Sequence, residues 1–200
     1  MSDNKSLSVL ITALVCLAGL ANPTALHAGS PGDSTYAVVA YIGGGLSQYL
    51  LAPGGPPDIP IDVSKLGVAG TVRVMWHPNH LVRLGIETGW TKFYSYTLQA
   101  EPTGQVYLSG FPLLVVWSMQ VMNVDLFLGT GYYLLNSHLD YQGAVDVKTW
   151  SLGWMAAASY THPLSDNLGV AGEVKWMNAP EHELANMTAQ VQLVWRVFEW

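Results

Sequence analysis

The chain has 200 residues, half of them hydrophobic and only 11% charged, with a formal charge of −6. That is one domain's worth of chain, too poor in charge to clothe a water-soluble surface and too acidic and lysine-poor to grip nucleic acid. No internal run reaches the roughly 20 apolar residues of a membrane helix, so apolar surface given to lipid has to come from strands, a bias that 20 glycines, eight tryptophans and ten tyrosines reinforce.

The first segment, "MSDNKSLSVLITALVCLAGLANPTALHAGS", sets Lys5 before an apolar stretch from Leu7 to Ala21 and then small and turn residues. It reads as a secretory signal peptide over 1–28, with the cut after Ala28 or Ala21, because its apolar stretch is short for a membrane anchor. The sole cysteine, Cys16, falls within it behind "TALV", a poor lipoprotein signal. The mature chain, 29–200, is then a single domain without thiol chemistry, disulfides or thiolate metal sites.

From Thr35 onward the period is two, and the strands are expected at 35–47, 65–76, 81–97, 105–117, 121–135, 147–161, 168–177 and 186–200. In the second, Leu66, Val68, Val72, Val74 and Trp76 oppose Gly67, Ala69, Thr71 and Arg73. The third sets Val82, Leu84, Ile86 and Trp90 against Arg83, Gly85, Glu87 and Gly89. The fifth sets Met122, Val124, Leu126, Leu128 and Tyr132 against Asn123, Asp125, Gly129 and Gly131. The seventh sets Leu168, Val170, Val174 and Trp176 against Gly169, Ala171, Glu173 and Lys175. A soluble sandwich would carry a charge-rich second face; small residues instead suit a narrow lumen where side chains from all strands converge. The fourth strand contains Pro112 and switches parity near Gly110, which predicts a β-bulge there.

Connections alternate between long and short: 48–64, "HPNH", 98–104, "SMQ", 136–146, "HPLSDN" and "NAPEHELA". Short turns on one side, longer loops on the other and an even strand number predict an all-β fold, an eight-stranded antiparallel up-and-down transmembrane β-barrel preceded by a cleaved signal peptide.

With the aliphatic parity toward lipid, Arg73, Arg83, Glu87, Asp125, Glu173, Lys175 and Arg196 face the lumen, four cations against three anions. Near balance is what a mutually paired network requires, and such a network would plug the barrel. Trp76, Trp90, Trp150, Trp154, Tyr160, Trp176 and Trp195 fall on the lipid-facing parity and fit interfacial girdles. The last strand, "MTAQVQLVWRVFEW", puts Phe198 and Trp200 on the opposite parity from Trp195, so either a bulge lies near Arg196 or the lipid-facing assignment fails at that end.

On "YIGGGLS", the unit "GTVRVMWHPNHLVRLGIETGW" and the terminal Phe198 and Trp200, residues 35–200 resemble the small eight-stranded outer-membrane proteins, the OmpA/OmpX type of barrel domain. That resemblance implies a monomer in the outer membrane of a Gram-negative cell, in contact with lipid and lipopolysaccharide. It also implies that Phe198 and Trp200 are the signal read by the barrel-assembly machinery.

Architecture alone transfers no activity. "NSHLDY" holds Ser137, His138 and Asp140, and "EHE" holds Glu181, His182 and Glu183, but both read better as solvated polar loops than as catalytic or metal sites. His77, His80 and His162 read as turn residues. The predicted outer loops carry Asp58, Asp62, Glu101, Asp140, Asp146, Glu181 and Glu183 against Lys65, an acidic rim suited to divalent cations bridging lipopolysaccharide or to a basic partner. The expectation is a non-enzymatic barrel with a plugged polar lumen and no cofactor or metal, acting in envelope structure or surface interaction. The alternatives are a barrel enzyme modifying lipid A or phospholipid, and a secreted soluble lipocalin-like ligand-binding barrel.

Overall fold

The computed structural model describes residues 36–51, 61–78, 81–98, 104–140, 144–182 and 184–200. The signal segment, Cys16, Asp58, His80, Glu101 and Glu183 lie outside them. The strands are β1 (Ala37–Tyr49), β2 (Ile61–Ser64), β3 (Leu66–His77), β4 (Val82–Leu98), β5 (Gly104–Val121), β6 (Val124–Asp140), β7 (Ala144–Pro163), β8 (Leu168–Ala179) and β9 (Leu184–Glu199), with a single 3₁₀ turn at Pro180–His182.

Eight staves close into a ring. From β3 to β9 each strand pairs antiparallel with the next, and β1 closes the ring between β3 and β9. Closure leaves no sheet edge within the ring, the condition for backbone polar groups to survive in hydrocarbon. β2 and β3 share one stave, interrupted at Lys65, whose carbonyl turns aside to accept from Tyr49 N–H at 2.9 Å. The stretch 48–64, expected to be all loop, therefore contributes β2 against the upper part of β4.

The alternation read from the sequence sets the two faces. Leu66, Val68, Val72, Val74 and Trp76 stand exposed on β3, while Ala69, Thr71, Arg73 and Met75 are buried within. Twelve residues at about 3.3 Å rise, tilted by roughly 45°, cover about 28 Å of height, close to a bilayer's hydrocarbon thickness. Exposed Ile86, Leu113, Val115, Leu126, Leu128, Leu152, Val191 and Leu193 continue the belt around the ring. A soluble lipocalin-like barrel could not leave so continuous an apolar exterior to water.

Three local details differ from expectation. The turn placed at "SMQ" lies further on: Val121 pairs with Val124, and Met122 and Asn123 make a two-residue hairpin. Met122 sits there at φ 56°, a left-handed conformation costly for a side chain other than glycine. It is 92% exposed, so packing does not hold it there. Met122→Gly is expected to raise stability by about 1 kcal/mol, read as a later urea midpoint for loss of the heat-modifiable band.

The bulge expected near Gly110 lies one strand over. β5 keeps unbroken register with β6 from Gln105 to Val121, and the extra residue is Phe93 on β4, between Lys92 paired with Ser109 and Tyr94 paired with Leu108. Pro112 leaves a different mark. It has no N–H to donate, and the β4–β5 pairing lapses opposite it, between Thr88–Leu113 and Thr91–Gly110.

β6 and β7 also outrun the expected ends, reaching Asp140 and Ala144 through what looked like loop sequence. His77 and His162 are likewise the ends of strands rather than turn residues.

Candidate functional site

Four of the predicted lumen charges meet in one closed ring. Arg73 on β3 donates from Nε to Glu87 Oε2 at 2.6 Å and from Nη1 to Glu173 Oε2 at 2.7 Å. Lys175 on β8 donates from Nζ to Glu87 Oε1 at 2.6 Å and to Thr71 Oγ1 at 2.9 Å, and lies 3.4 Å from Glu173 Oε1. That same Glu173 oxygen accepts from Gln192 Nε2 at 3.0 Å. The four charged residues are at most 2% exposed. Two cations and two anions cancel, and each carboxylate oxygen finds a donor, which is how burial of ions becomes tolerable.

Aromatic rings complete the setting. The Arg73 guanidinium lies 3.9 Å from the ring centre of Phe127 and 5.6 Å from that of Tyr41, which itself meets Phe127 edge-on. Stacking beneath the plane of the guanidinium leaves its N–H groups free for the carboxylates in that plane. Through these contacts the assembly joins β1, β3, β4, β6, β8 and β9 across the lumen.

The other predicted charges stand apart. Arg83 forms a separate pair with Asp125 at 2.8 Å and donates to Gln120 Oε1 at 2.9 Å, nearer the short turns. Arg196 belongs to no lumen network. It pairs with Glu199 at 3.1 Å, its side chain 35% exposed, because parity fixes a residue's face but not its height, and this one lies close to the chain end at the mouth. Above the charged ring, toward the long connections, the filling is mixed: Phe93, Tyr133, Leu135, Met155, Met177 and Leu184 are nearly inaccessible, and Ser47, Ser109, Ser151 and Asn186 are buried among them. Gln190 and Gln192, which sequence reasoning did not single out, join Thr71 in the polar inner face of the site; the alternation of Thr188, Gln190 and Gln192 in "MTAQVQL" carries the signal.

The aromatic residues fall into two sets on the outer face. Trp76, Tyr160 and Trp195 lie toward the short turns, and Trp90, Trp150, Trp154 and Trp176 toward the opposite ends of their strands. Trp154 and Trp176 meet edge-on at 4.7 Å, and Trp150 meets Tyr132 at 6.3 Å. Trp117, exposed on β5, joins the turn-side set and was missed because its strand seemed to change parity.

At the chain end, β9 passes over one residue between Arg196, opposite Val39, and Phe198, opposite Val38. This bulge at Val197 turns Phe198 and Trp200 outward, 64% and 62% exposed. Tyr36 and Trp200 exchange backbone hydrogen bonds at 2.8 and 2.9 Å, and the Tyr36 ring stacks between Trp200 and Trp76.

Among the described residues the remaining candidates do not assemble into a nucleophilic site. Ser137 and His138 are consecutive on β6 and so face opposite ways; His138 Nδ1 meets Asp146 at 2.6 Å and its ring stacks on Tyr107. Glu181 accepts from Ser151 Oγ at 3.4 Å and Leu152 N–H at 3.3 Å.

No family model matches the sequence, and no curated protein matches it. Solved structures do match. The attachment invasion locus protein Ail of Yersinia pestis, in complex with the heparin analogue sucrose octasulfate, aligns with a TM-score of 0.55 over 84% of this chain and 100% of that one, at 5% identity. A second structure of Ail gives 0.51 over 84% and 99%, at 7% identity. Neisserial surface protein A gives 0.45 over 82% and 97%, at 13% identity. Identities this low speak to fold alone, and the fold is that of the small eight-stranded outer-membrane β-barrels.

Proposed function

We propose that the protein is a non-enzymatic outer-membrane barrel, closed to ions by its charged ring, that acts at the cell surface through strands rising above the barrel. The observation that carries this reading is the length of β5, β6 and β7, at 18, 17 and 20 residues against 12 for β3 and β8. β7 pairs with β8 only from Trp154 to Pro163. From Ala144 to Gly153 that edge has no strand partner among the described residues, and the Glu181 carboxylate accepts from its Leu152 N–H. An open edge invites strand pairing with another chain, and it is retained at some hazard of aggregation.

Charge narrows the partner. Asp146 lies on this part with Lys148, and the neighbouring connections 99–103 and 180–183 carry Glu101, Glu181 and Glu183 against no lysine or arginine. Sulfated ligands such as the heparin analogue bound to Ail call for clustered cations, which this surface does not offer. Lipopolysaccharide bridged through divalent cations, or a basic partner, fits better.

Cells displaying the protein are expected to attach to neighbouring cells or surfaces more than cells displaying Val145→Lys, which charges the open edge. Equal attachment by wild type, variant and empty cells would reject the surface role. Independently, the purified protein in planar bilayers is expected to show no stable ion-permeable openings. Regular openings would remove the closed lumen and leave the surface role standing. Lipopolysaccharide binding that persists unchanged in chelator would remove the cation bridge.

A further inference from the structure

On the inner face of the rising sheet, where the 180–182 turn folds over β6 and β7, lies a cavity of about 200 Å³. Tyr94, Leu135 and Val147 give it apolar walls, and the Ser137 and Thr149 hydroxyls and the His182 imidazole share the lining. The register accounts for their convergence: Ser137 pairs with Val147 and Leu135 with Thr149, so all four side chains leave the sheet on one side. Tyr94 is backed by Tyr49, ring centres 4.9 Å apart, and by Tyr96 at 6.3 Å, which makes that wall aromatic.

Among the described residues, no protein group hydrogen-bonds the side chains of Ser137, Thr149 or His182. Their neighbours differ: Ser151 is bonded to Glu181 and His138 to Asp146. Three unpaired polar groups converging on an apolar wall are the pattern of a small-molecule site, where a few polar contacts orient a mostly apolar ligand. Among the described residues neither a carboxylate nor a lysine or arginine lines it, which favours an uncharged ligand. An enclosed apolar cavity of about 150 Å³ holds benzene, and this half-open one of about 200 Å³ has room for a single substituted ring.

We propose that this cavity binds a small uncharged aromatic alcohol or phenol, its ring against Tyr94 and its oxygen among Ser137, Thr149 and His182. The site shares the upper part of β7 with the open edge but is read by ligand binding rather than attachment, and it is separate from the charged ring.

Benzyl alcohol titrated into the protein in lipid nanodiscs, followed by amide and methyl NMR shifts, tests it. Saturable shifts centred on Leu135, Val147 and Thr149 are expected. Val147→Trp, which fills the cavity, should abolish them. Thr149→Val, close to isosteric and safe for folding, should weaken binding about fivefold, the loss of one hydrogen bond. The heat-modifiable band confirms that each variant is folded. Shifts that climb without saturating and spread over lipid-facing Leu126 and Leu193 in every variant would mean partition into the bilayer and overturn the proposal. So would saturable binding that neither Val147→Trp nor Thr149→Val alters.

Discussion

Arg73→Met is expected to destabilise the barrel by about 3–5 kcal/mol, the cost of breaking a buried ion pair from one side. Methionine can occupy the slot between Phe127 and Tyr41, so lost volume is not the cause. Glu87 and Glu173 would be left facing each other with Lys175 alone between them, an uncompensated negative charge inside the wall. Adding Glu173→Leu removes that excess and leaves the neutral Lys175–Glu87 pair. The double variant should therefore recover more than half of the loss. Full recovery is not expected, because Gln192 Nε2 forfeits its acceptor. Urea midpoints of the heat-modifiable band, compared across the four members of the cycle, measure the coupling. Additive losses would show that the ring is four independent side chains rather than one electrostatic unit.

Changes at the chain end should separate folding from delivery. Trp200→Ala removes the stack on Tyr36 but keeps the backbone bonds at that position, so stability should fall by roughly 1–3 kcal/mol. Refolding into detergent should still succeed. Removing residues 198–200 takes away those backbone bonds as well and exposes the edges of β1 and β9 at the closing seam, so this form is expected to fail in both settings. If Phe198 and Trp200 are the assembly address, Trp200→Ala should refold in vitro and yet accumulate poorly in the outer membrane. Equal yields in cells would make Trp200 a structural residue only.

The faces of β3, β4, β6 and β8 were legible because lipid on one side and a narrow lumen on the other enforce a strict period of two. Where both sides are wet the constraint lapses, and the upper parts of β6 and β7, "NSHLD" and "AVD", read as loop though they are strand. Height was the other loss. Parity placed Arg73, Arg83 and Arg196 on one face, but only the register between distant strands shows that Arg73 reaches Glu173, that Arg83 stops at Asp125, and that Arg196 pairs with Glu199 at the mouth. The bulge at Val197 could be inferred because two aromatics fell on the wrong parity. The one at Phe93 could not, since Phe93 and Tyr94 are both plausible inside. The rising sheet's cavity gave no sequence signal, because Ser137, Thr149 and His182 come from three elements that only the fold brings together.

The bulge at Val197 bears on how such a chain can change over generations. A stave that gains or loses one residue exchanges its oily and its inner side chains from that point on, so lengths along these strands can drift only in pairs unless an odd residue is absorbed locally. By absorbing one between Arg196 and Phe198, β9 frees its last three residues from the arithmetic of the other thirteen. The terminal aromatics can then stay fixed while the wall behind them is rewritten.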